Sequence, residues 1–187
     1  MRVYLVRHPA PAVAPGICYG QTDLDLAQDV APCLVGLRKL LPMDAPLYSS
    51  PLKRCRHLAN ALRFAPLFDD RLKEINFGEW EMRAWDSIDR AAIDAWAAAA
   101  LDHAPPGGES VAMLYQRVAL FLRERHADNT DNADDLILVT HAGVMKACCA
   151  LLLGLAEAEW IKLPFDYGSV SLIENGELVW HNRLDET

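Results

Sequence analysis

The sequence predicts a single α/β domain, residues 1–187, in which a mostly parallel sheet is layered with helices. Two short apolar runs, residues 2–7 and 135–140, have the composition of buried strands. The segments between strand-like runs carry apolar residues at helical spacing, and strands that alternate with helices build a layered sheet. The tail adds two strand-like runs joined by Asn175-Gly176, which is a strong hairpin signal. A length of 187 residues fits one domain.

The first half of the chain contributes two strands and two helices. Residues 2–7 form the first strand, and the prolines that follow at positions 9, 11 and 15 impose an irregular loop. Apolar positions at helical spacing predict a helix over residues 27–41. Residues 46–49 predict a short strand. Residues 52–64 predict a second helix, which ends before a proline.

The second half repeats the alternation and closes with the hairpin. An Ala-rich stretch, residues 84–101, predicts a helix that a Pro-Pro-Gly-Gly run ends. Ser110 can cap the next helix, because its hydroxyl can accept from a free N–H of the first turn. The remaining predicted elements are the strand 135–140, an apolar helix over 143–153, and strands over 169–174 and 177–181.

The overall charge limits the classes of partner. The formal net charge is −8, which argues against binding to nucleic acid or to an anionic membrane surface. If the substrate is an anion, positive charge must therefore be concentrated locally at the site. The sequence leaves open whether copies of the chain associate into a homo-oligomer.

Cysteine usage indicates a reducing compartment. The five cysteines are an odd number and include no CxxC pair, so free thiols and a cytoplasmic location are expected. Cys148 and Cys149 lie in an apolar run, where free cysteine behaves as a small hydrophobic residue. The apolar runs near residue 3 and over residues 147–155 are too short for a signal peptide or a membrane span.

Two histidines follow the two buried strands. Strand 2–7 ends at Arg7-His8, and strand 135–140 ends at Thr140-His141, where a helix starts. Ligands of α/β sheets bind beyond the carboxyl ends of the strands, so both histidines are expected at one rim. Two other Arg-His pairs, Arg56-His57 and Arg125-His126, lie on predicted helices and are interpreted as solvated positions.

Five short motifs around these histidines resemble the histidine phosphatase superfamily, which contains cofactor-dependent phosphoglycerate mutase. In chain order they are Arg7-His8; Ser49-Ser50-Pro51-Leu52-Lys53-Arg54; Leu72-Lys73-Glu74 leading into Phe77-Gly78-Glu79-Trp80-Glu81; Gly108-Glu109-Ser110; and Thr140-His141-Ala142-Gly143. Each motif alone is weak, but all five in this order are specific. The segment Phe77–Arg83 (FGEWEMR) and the short chain most resemble the alpha-ribazole phosphatases of cobalamin biosynthesis.

The resemblance implies a phosphoglycerate mutase-like fold, a three-layer α/β/α sandwich around a mostly parallel sheet. It also implies catalytic roles in the hydrolysis of a small-molecule phosphate monoester without metal or other cofactor. His8 would attack phosphorus and form a phosphohistidine, while Arg7, Arg54 and His141 would bind the phosphoryl oxygens. Glu74 would donate a proton to the leaving alkoxide and then accept one from water.

These residue types suit that chemistry. A neutral imidazole is a good nucleophile near pH 7, and the planar guanidinium of arginine can bind two phosphoryl oxygens at once. The backbone N–H of Ala142, at the start of a helix, could add a donor. Gln21 and Trp80 complete the predicted substrate contacts.

Several residues leave alternatives open. Glu79 and Glu81 are interpreted as loop groups, although Glu81 could replace Glu74 as the acid. Trp80, Trp85 and Trp96 have the composition of core residues. If their segment covers the mouth of the site, however, one of them could stack on a flat substrate base.

The first loop departs from the family pattern, and the departures leave alternatives for the function. Pro9 replaces a glycine and has no N–H, Ala10 replaces an acidic or polar residue, and Ala14 aligns with an asparagine that contacts phosphate in the mutases. These changes argue against mutase activity more than against hydrolysis. The alternatives are a broad-specificity phosphatase, a mutase-like enzyme, or a catalytically silent phosphate-binding module. No HExxH, CxxC, Walker A, GxGxxG or GxSxG motif occurs, so no metal site is expected.

Overall fold

A mixed six-stranded sheet organises the protein, of which the computed structural model describes residues 1–63, 65–128 and 135–184. The strands are β1 (Arg2–Arg7), β2 (Leu47–Ser49), β3 (Leu67–Phe68), β4 (Asp135–Thr140), β5 (Val170–Glu174) and β6 (Glu177–Arg183), in the order β3-β2-β4-β1-β5-β6. The first four strands run parallel, and β5 and β6 are antiparallel additions at one edge. The prediction of a mostly parallel sheet is confirmed.

Helices cover both faces of the sheet. They are α1 (Ala31–Leu40), α2 (Lys53–Leu62), α3 (Arg90–Ala98), α4 (Val111–Asp128), α5 (Ala142–Leu153) and the short α6 (Glu157–Trp160). Side chains of β1 alternate between the two covers: Val3 and Leu5 pack with α4 and α5, whereas Tyr4 and Val6 pack with α1 and α2. Because β1 is buried on both faces, its sequence is a continuous apolar run, as is typical of central parallel strands. The three-layer sandwich is thus confirmed.

The terminal hairpin forms as its turn residues predict. Asn175 and Gly176 have φ values of 51° and 80°, and a turn with positive φ at both central residues matches the twist of the flanking strands. The second strand continues to Arg183, two residues beyond its predicted end.

Four predicted helices differ in their bounds, of which α5 differs only by beginning one residue earlier, at Ala142. The first begins at Ala31 rather than residue 27, with Pro32 in its first turn, where proline costs no hydrogen bond. The second ends at Leu62, and residue 64 of its predicted range lies outside the described residues. The predicted helix 84–101 is divided into a 3₁₀ turn at Trp85–Ser87 and helix α3, because the Asp89 side chain caps the N–H of Ala91 and starts a new helix.

The two-residue strand β3 has no counterpart in the sequence prediction. Leu67 and Phe68 are both exposed, so no alternation of apolar and polar residues marks them. These two residues form a strand because their backbone pairs with the backbone of β2. The five cysteines are free, and no helix within the described ranges is long and apolar enough to cross a membrane.

Candidate active site

The parallel pairing of β1 with β4 brings two histidines together. Arg7 lies opposite Thr140 at the carboxyl ends of the strands, and the N–H of His8 donates to the carbonyl of Thr140 at 3.1 Å. The next residue after each strand end is therefore a histidine. The ring centroids of His8 and His141 are 4.9 Å apart with an edge-to-face tilt of 62°. The shared rim expected from the sequence is where the structure places them.

One hydrogen bond orients the imidazole of His8. Its Nδ1 lies 2.6 Å from the carbonyl oxygen of Pro9. A carbonyl can only accept, so Nδ1 carries the proton and Nε2 keeps its lone pair. His8 is only 2% exposed, and burial together with the charges of Arg54 and Arg7 lowers its pKa well below 6.5, although the Pro9 bond opposes this. The ring is therefore a neutral imidazole whose Nε2 keeps a free lone pair.

Arg54 is a fully buried cation that links His141 to the first loop. Its guanidinium donates to the carbonyls of Thr22 (2.9 Å) and Gly20 (2.6 Å), and its Nε donates to Nδ1 of His141 (3.3 Å). Since arginine has five N–H groups, two remain for a ligand.

His141 is held from both of its ring nitrogens. Because Nδ1 accepts from Arg54, Nε2 carries the proton and donates to Oγ of Ser50 at 2.8 Å. Burial, followed by the charges of His8 and Arg54, lowers the pKa of His141 well below 6.5. A phosphate oxygen that approaches His141 would therefore compete with Ser50 for a neutral N–H donor.

Two tyrosines cover the arginines. The guanidinium of Arg7 lies 3.7 Å from the ring centroid of Tyr167 and donates to the carbonyl of Phe165. The hydroxyl of Tyr167 is 2.6 Å from that of Tyr19, whose ring lies 5.6 Å from the guanidinium of Arg54. This hydroxyl pair joins the loop after β1 to the loop before β5 and narrows the approach to His8.

Glu74 reaches the start of helix α5. Its carboxylate accepts from the N–H of Ile75 at 3.0 Å and from the N–H of Gly143 at 3.1 Å. The first N–H groups of a helix have no partner within the helix, so Glu74 satisfies one of them. The contact places a carboxyl group at the start of α5, beside a residue only two positions along the chain from His141.

A partly buried ion pair holds the backbone at Glu74. Arg117 donates to the carbonyl of Glu74 at 2.9 Å and to Oε1 of Glu109 at 3.0 Å. Gln21 donates to the same carbonyl at 3.0 Å. The predicted substrate contact Gln21 thus touches the Glu74 loop directly, while Ala142 opens helix α5 beside His141.

The carboxylate of Glu81 holds the first loop rather than facing outward. It accepts from the N–H groups of Gln21, Thr22 and Phe77, at 2.6–3.1 Å, and from the Thr22 hydroxyl. Burial alone would raise its pKa, but these four bonds outweigh burial and lower it. A carboxylate held ionised in this way is a poor proton donor.

The stacking role predicted for Trp80 is wrong. Trp80 is 3% exposed and packs with Cys18 and Ile88, so neither face of its indole can reach a substrate. Trp85 and Trp96 are partly buried against the same cluster, with edge-to-face contacts to Trp80. Together these indoles form a second small core that supports the loop of Glu81.

Three residues of this site, Tyr19, Tyr167 and Arg117, belong to none of the sequence motifs. Glu109 lies in the motif Gly108-Glu109-Ser110, but its bond to Arg117 has no signal in the sequence. Their roles depend on contacts between positions far apart in the chain, 148 residues for the tyrosine pair, so no local pattern signals them. Within the described ranges, no cluster of three or more His, Cys, Asp or Glu side chains could hold a metal ion.

Comparison with known sequences identifies one family. The family model described as the histidine phosphatase superfamily (branch 1) matches residues 3–184. The adenosylcobalamin/alpha-ribazole phosphatase of Salmonella typhimurium is 29% identical over 185 residues, covering 93% of this chain and 90% of the relative. The glucosyl-3-phosphoglycerate phosphatase of Mycolicibacterium vanbaalenii is 31% identical over 198 residues (98% and 86%). Phosphoserine phosphatase 1 of Hydrogenobacter thermophilus is 31% identical over 191 residues (95% and 88%).

Solved structures share the same fold along the whole chain. A mycobacterial glucosyl-3-phosphoglycerate phosphatase in complex with VO3 superposes with a TM-score of 0.82 at 26% identity, covering 97% of this chain and 98% of the other. A phosphoglycerate mutase from Thermus thermophilus gives a TM-score of 0.76 at 29% identity, covering 99% and 100%. The phosphoglycerate mutase-like fold implied by the sequence motifs is thus confirmed.

Proposed function

This chain belongs to the histidine phosphatase superfamily (branch 1), and we propose that it hydrolyses small-molecule phosphate monoesters through a phosphohistidine on Nε2 of His8. The observation that carries the proposal is the bond from Nδ1 of His8 to the Pro9 carbonyl. It leaves the Nε2 lone pair free in a neutral ring, which is the state a nucleophile requires. Pro9 lacks the N–H of the usual glycine, but the bond uses its carbonyl, which proline retains.

The first step transfers the phosphoryl group to the enzyme. Nε2 of His8 attacks phosphorus while the bond from phosphorus to the ester oxygen breaks. The departing oxygen takes a proton from the carboxyl group of Glu74, so an alcohol leaves rather than an alkoxide. The imidazole becomes an N-phosphorylated ring that keeps its Nδ1 proton on the Pro9 carbonyl.

The second step returns His8 to its starting state. A water oxygen attacks phosphorus, and the Glu74 carboxylate takes up one of the water protons. The bond from Nε2 to phosphorus breaks, and the electron pair returns to the ring. The products are inorganic phosphate, a neutral His8 and a protonated Glu74, ready for another cycle.

The charge of the transferred group is offset locally in an otherwise acidic protein. The formal net charge is −8, yet the positive charges of Arg7 and Arg54 lie close enough to His8 and His141 to lower the pKa values of both histidines. The first turn of helix α5, which includes the N–H of Ala142, adds the positive end of a helix dipole. Charge spreads over the phosphoryl oxygens in the transition state, where fixed donors of this kind are most effective.

Hydrolysis of 4-nitrophenyl phosphate in the presence of EDTA tests the proposal. We expect activity that resists the chelator and falls by orders of magnitude in His8→Ala, because losing the nucleophile removes the covalent route. His57→Ala is the matched control, since His57 also follows an arginine but is exposed on α2. Rapid acid-free quenching should trap the phosphoryl group on His8. Activity that EDTA abolishes, or that His8→Ala retains, would contradict the mechanism, and an inactive wild type would favour a silent phosphate-binding module.

The finer proposal for the substrate is alpha-ribazole 5′-phosphate or a related ester of cobalamin biosynthesis. The segment Phe77–Arg83 and the Salmonella relative support it. The relatives named for phosphoserine and glucosyl-3-phosphoglycerate are equally similar, so a direct comparison of substrates must decide. We expect kcat/KM for alpha-ribazole phosphate to exceed that for 3-phosphoglycerate at least about tenfold, the equivalent of roughly 1.4 kcal/mol. Comparable values would leave a phosphatase of broad specificity.

The cellular setting forms part of the same proposal. We infer that the enzyme acts in the cytoplasm on a freely diffusing phosphate ester and needs no metal ion. The five free thiols support a reducing location. Size-exclusion chromatography with light scattering would establish whether it works as a homo-oligomer.

A further inference from the structure

A cavity of about 320 Å³ lies beside Glu74 and is not used by the steps described above. Its walls come from the loop that carries Ile75 and Phe77 and from four helices: the end of α3, the first turns of α4 and α5, and the end of α6. Its volume falls at the lower end of the range for small-molecule sites, roughly 300–1,000 Å³.

The cavity adjoins residues that contact the proton donor of the proposed reaction. Ile75, which follows Glu74 in the chain, forms part of its wall, as does Gly143, whose N–H holds the Glu74 carboxylate at 3.1 Å. Lys146 lies three residues beyond Gly143, on the same face of α5 and about one helical turn away. The ester oxygen that Glu74 protonates would therefore sit at the mouth of the cavity, and the body of the leaving alcohol would extend into it.

The walls are suited to an uncharged, flat group. Phe77, Trp96 and Trp160 supply aromatic surface, and Lys146 is the one charged residue among the described residues that line the space. The Lys146 ammonium donates to the carbonyl of Ile161 at 2.7 Å, and a cation of this kind can also lie against an aromatic ring. A zwitterionic amino acid would place its own ammonium group near that of Lys146 and lose its hydration against apolar walls.

We propose that this cavity binds a neutral, planar aromatic group of the leaving alcohol, with Trp96 as a principal wall. The inference rests on the proposed phosphatase function and names the substrate class for the same site. Of the three indoles that could have stacked on a flat group, Trp80, Trp85 and Trp96, it selects Trp96.

The test uses three phosphate esters of different leaving groups: 2-phenylethyl phosphate, ethyl phosphate and O-phosphoserine. The first two have alkoxide leaving groups that need similar protonation, so their ratio of kcat/KM reports the cavity rather than the chemistry. We expect a preference of roughly tenfold for 2-phenylethyl phosphate over ethyl phosphate, the size of one aromatic stacking contact. O-phosphoserine should be the poorest of the three.

A matched pair of variants tests whether the preference for 2-phenylethyl phosphate arises in the cavity. Ala97 and Ala98 are neighbouring exposed residues of α3, but only Ala97 lines the cavity. Ala97→Glu and Ala98→Glu change the net charge equally, so their general repulsion of a phosphate is the same. We expect Ala97→Glu to reduce the preference to about twofold or less because it puts a carboxylate at an apolar binding surface. Ala98→Glu should retain the preference, while Trp96→Ala should reduce it as Ala97→Glu does.

Three results would overturn the proposal. The first is a wild-type enzyme that hydrolyses 2-phenylethyl and ethyl phosphate equally well. The second is an equal loss of preference in Ala97→Glu and Ala98→Glu. The third is a preference for O-phosphoserine that Lys146→Met removes, which would make the cavity an anion site.

Failure of the phosphatase function itself gives a different signature. If the wild type hydrolyses none of the three esters, calorimetric binding of 2-phenylethyl phosphate still decides the role of the cavity. Weaker binding to Ala97→Glu than to Ala98→Glu would then support the site without the reaction. Equal affinities would reject the site as well.

Discussion

Gly143 is the position at which a single added methyl group tests the proposed role of Glu74. A Cβ built there would lie 2.2 Å from Oε1 of Glu74 and 3.3 Å from Cδ2 of Leu114. Ordinary van der Waals contact begins at 3.4 Å, so the carboxylate must move by about 1 Å. The N–H of Gly143 that holds the other carboxylate oxygen would then be poorly aligned with its acceptor.

The same substitution should have little effect on the stability of the folded protein. Gly143 is a helical residue of α5, and alanine is a better helix former than glycine by roughly 0.8–1.0 kcal/mol. The displaced atoms of Glu74 lie at the end of a flexible side chain. We therefore expect the Tm of Gly143→Ala to equal or exceed that of the wild type.

Gly143→Ala should instead slow the step in which Glu74 donates a proton. A displacement of about 1 Å can cost roughly 100-fold, and general acid catalysis is worth roughly 10²–10⁴-fold. We expect kcat/KM of Gly143→Ala to fall roughly 100-fold on ethyl phosphate. On 4-nitrophenyl phosphate it should fall less than about tenfold, because nitrophenolate leaves without needing a proton.

A double-mutant cycle tests whether Gly143→Ala lowers activity through Glu74. If Gly143→Ala acts through Glu74, adding it to Glu74→Gln should produce no further loss on ethyl phosphate. Equal losses of Gly143→Ala on both substrates, or losses that multiply in the double variant, would refute the reasoning. A lowered Tm would indicate that the loss of activity comes from a clash with Leu114 in the core rather than from displacement of Glu74.

Three further predictions concern the same site. Glu74→Gln should slow ethyl phosphate hydrolysis far more than 4-nitrophenyl phosphate hydrolysis, and equal losses would move the acid role to another residue. Arg117→Met leaves the partly buried Glu109 carboxylate without its cation, so urea unfolding should show an unfolding free energy lower by about 1–3 kcal/mol, with lowered activity on ethyl phosphate. Unchanged stability would contradict the pairing. Burial holds the pKa values of His8 and His141 well below 6.5, so the folded protein stays unprotonated there while the unfolded chain takes up protons as the pH falls through 6.5. The unfolding free energy should therefore decrease below pH 6.5 by roughly 1.4 kcal/mol per pH unit for each histidine, and His8→Gln should reduce this slope; an unchanged slope in that variant would contradict the assignment.

The parts of the fold that the sequence predicted are those with strong local signals. Strands β1 and β4 are continuous apolar runs because both faces of each strand are buried. The hairpin follows from Asn175-Gly176, whose residues tolerate positive φ. Elements without such a signal were missed or misjudged: β3 is two exposed residues, and residues 84–101 are divided by the cap at Asp89, which breaks a pattern that composition alone would continue.

By itself, the sequence determined that His8 and His141 share one rim, since each directly follows a buried strand and parallel strands end at the same edge of a sheet. Only the tertiary structure decided the finer chemistry. The proton on Nδ1 of His8 is fixed by the direction of one carbonyl, and Glu74 meets Gly143 across 69 residues of chain. Which indole lines a cavity and which is buried depends in the same way on packing among α3, α4 and α5. Strand and turn patterns arise from neighbouring residues, whereas the orientation of a side chain depends on groups that only folding brings within hydrogen-bonding distance.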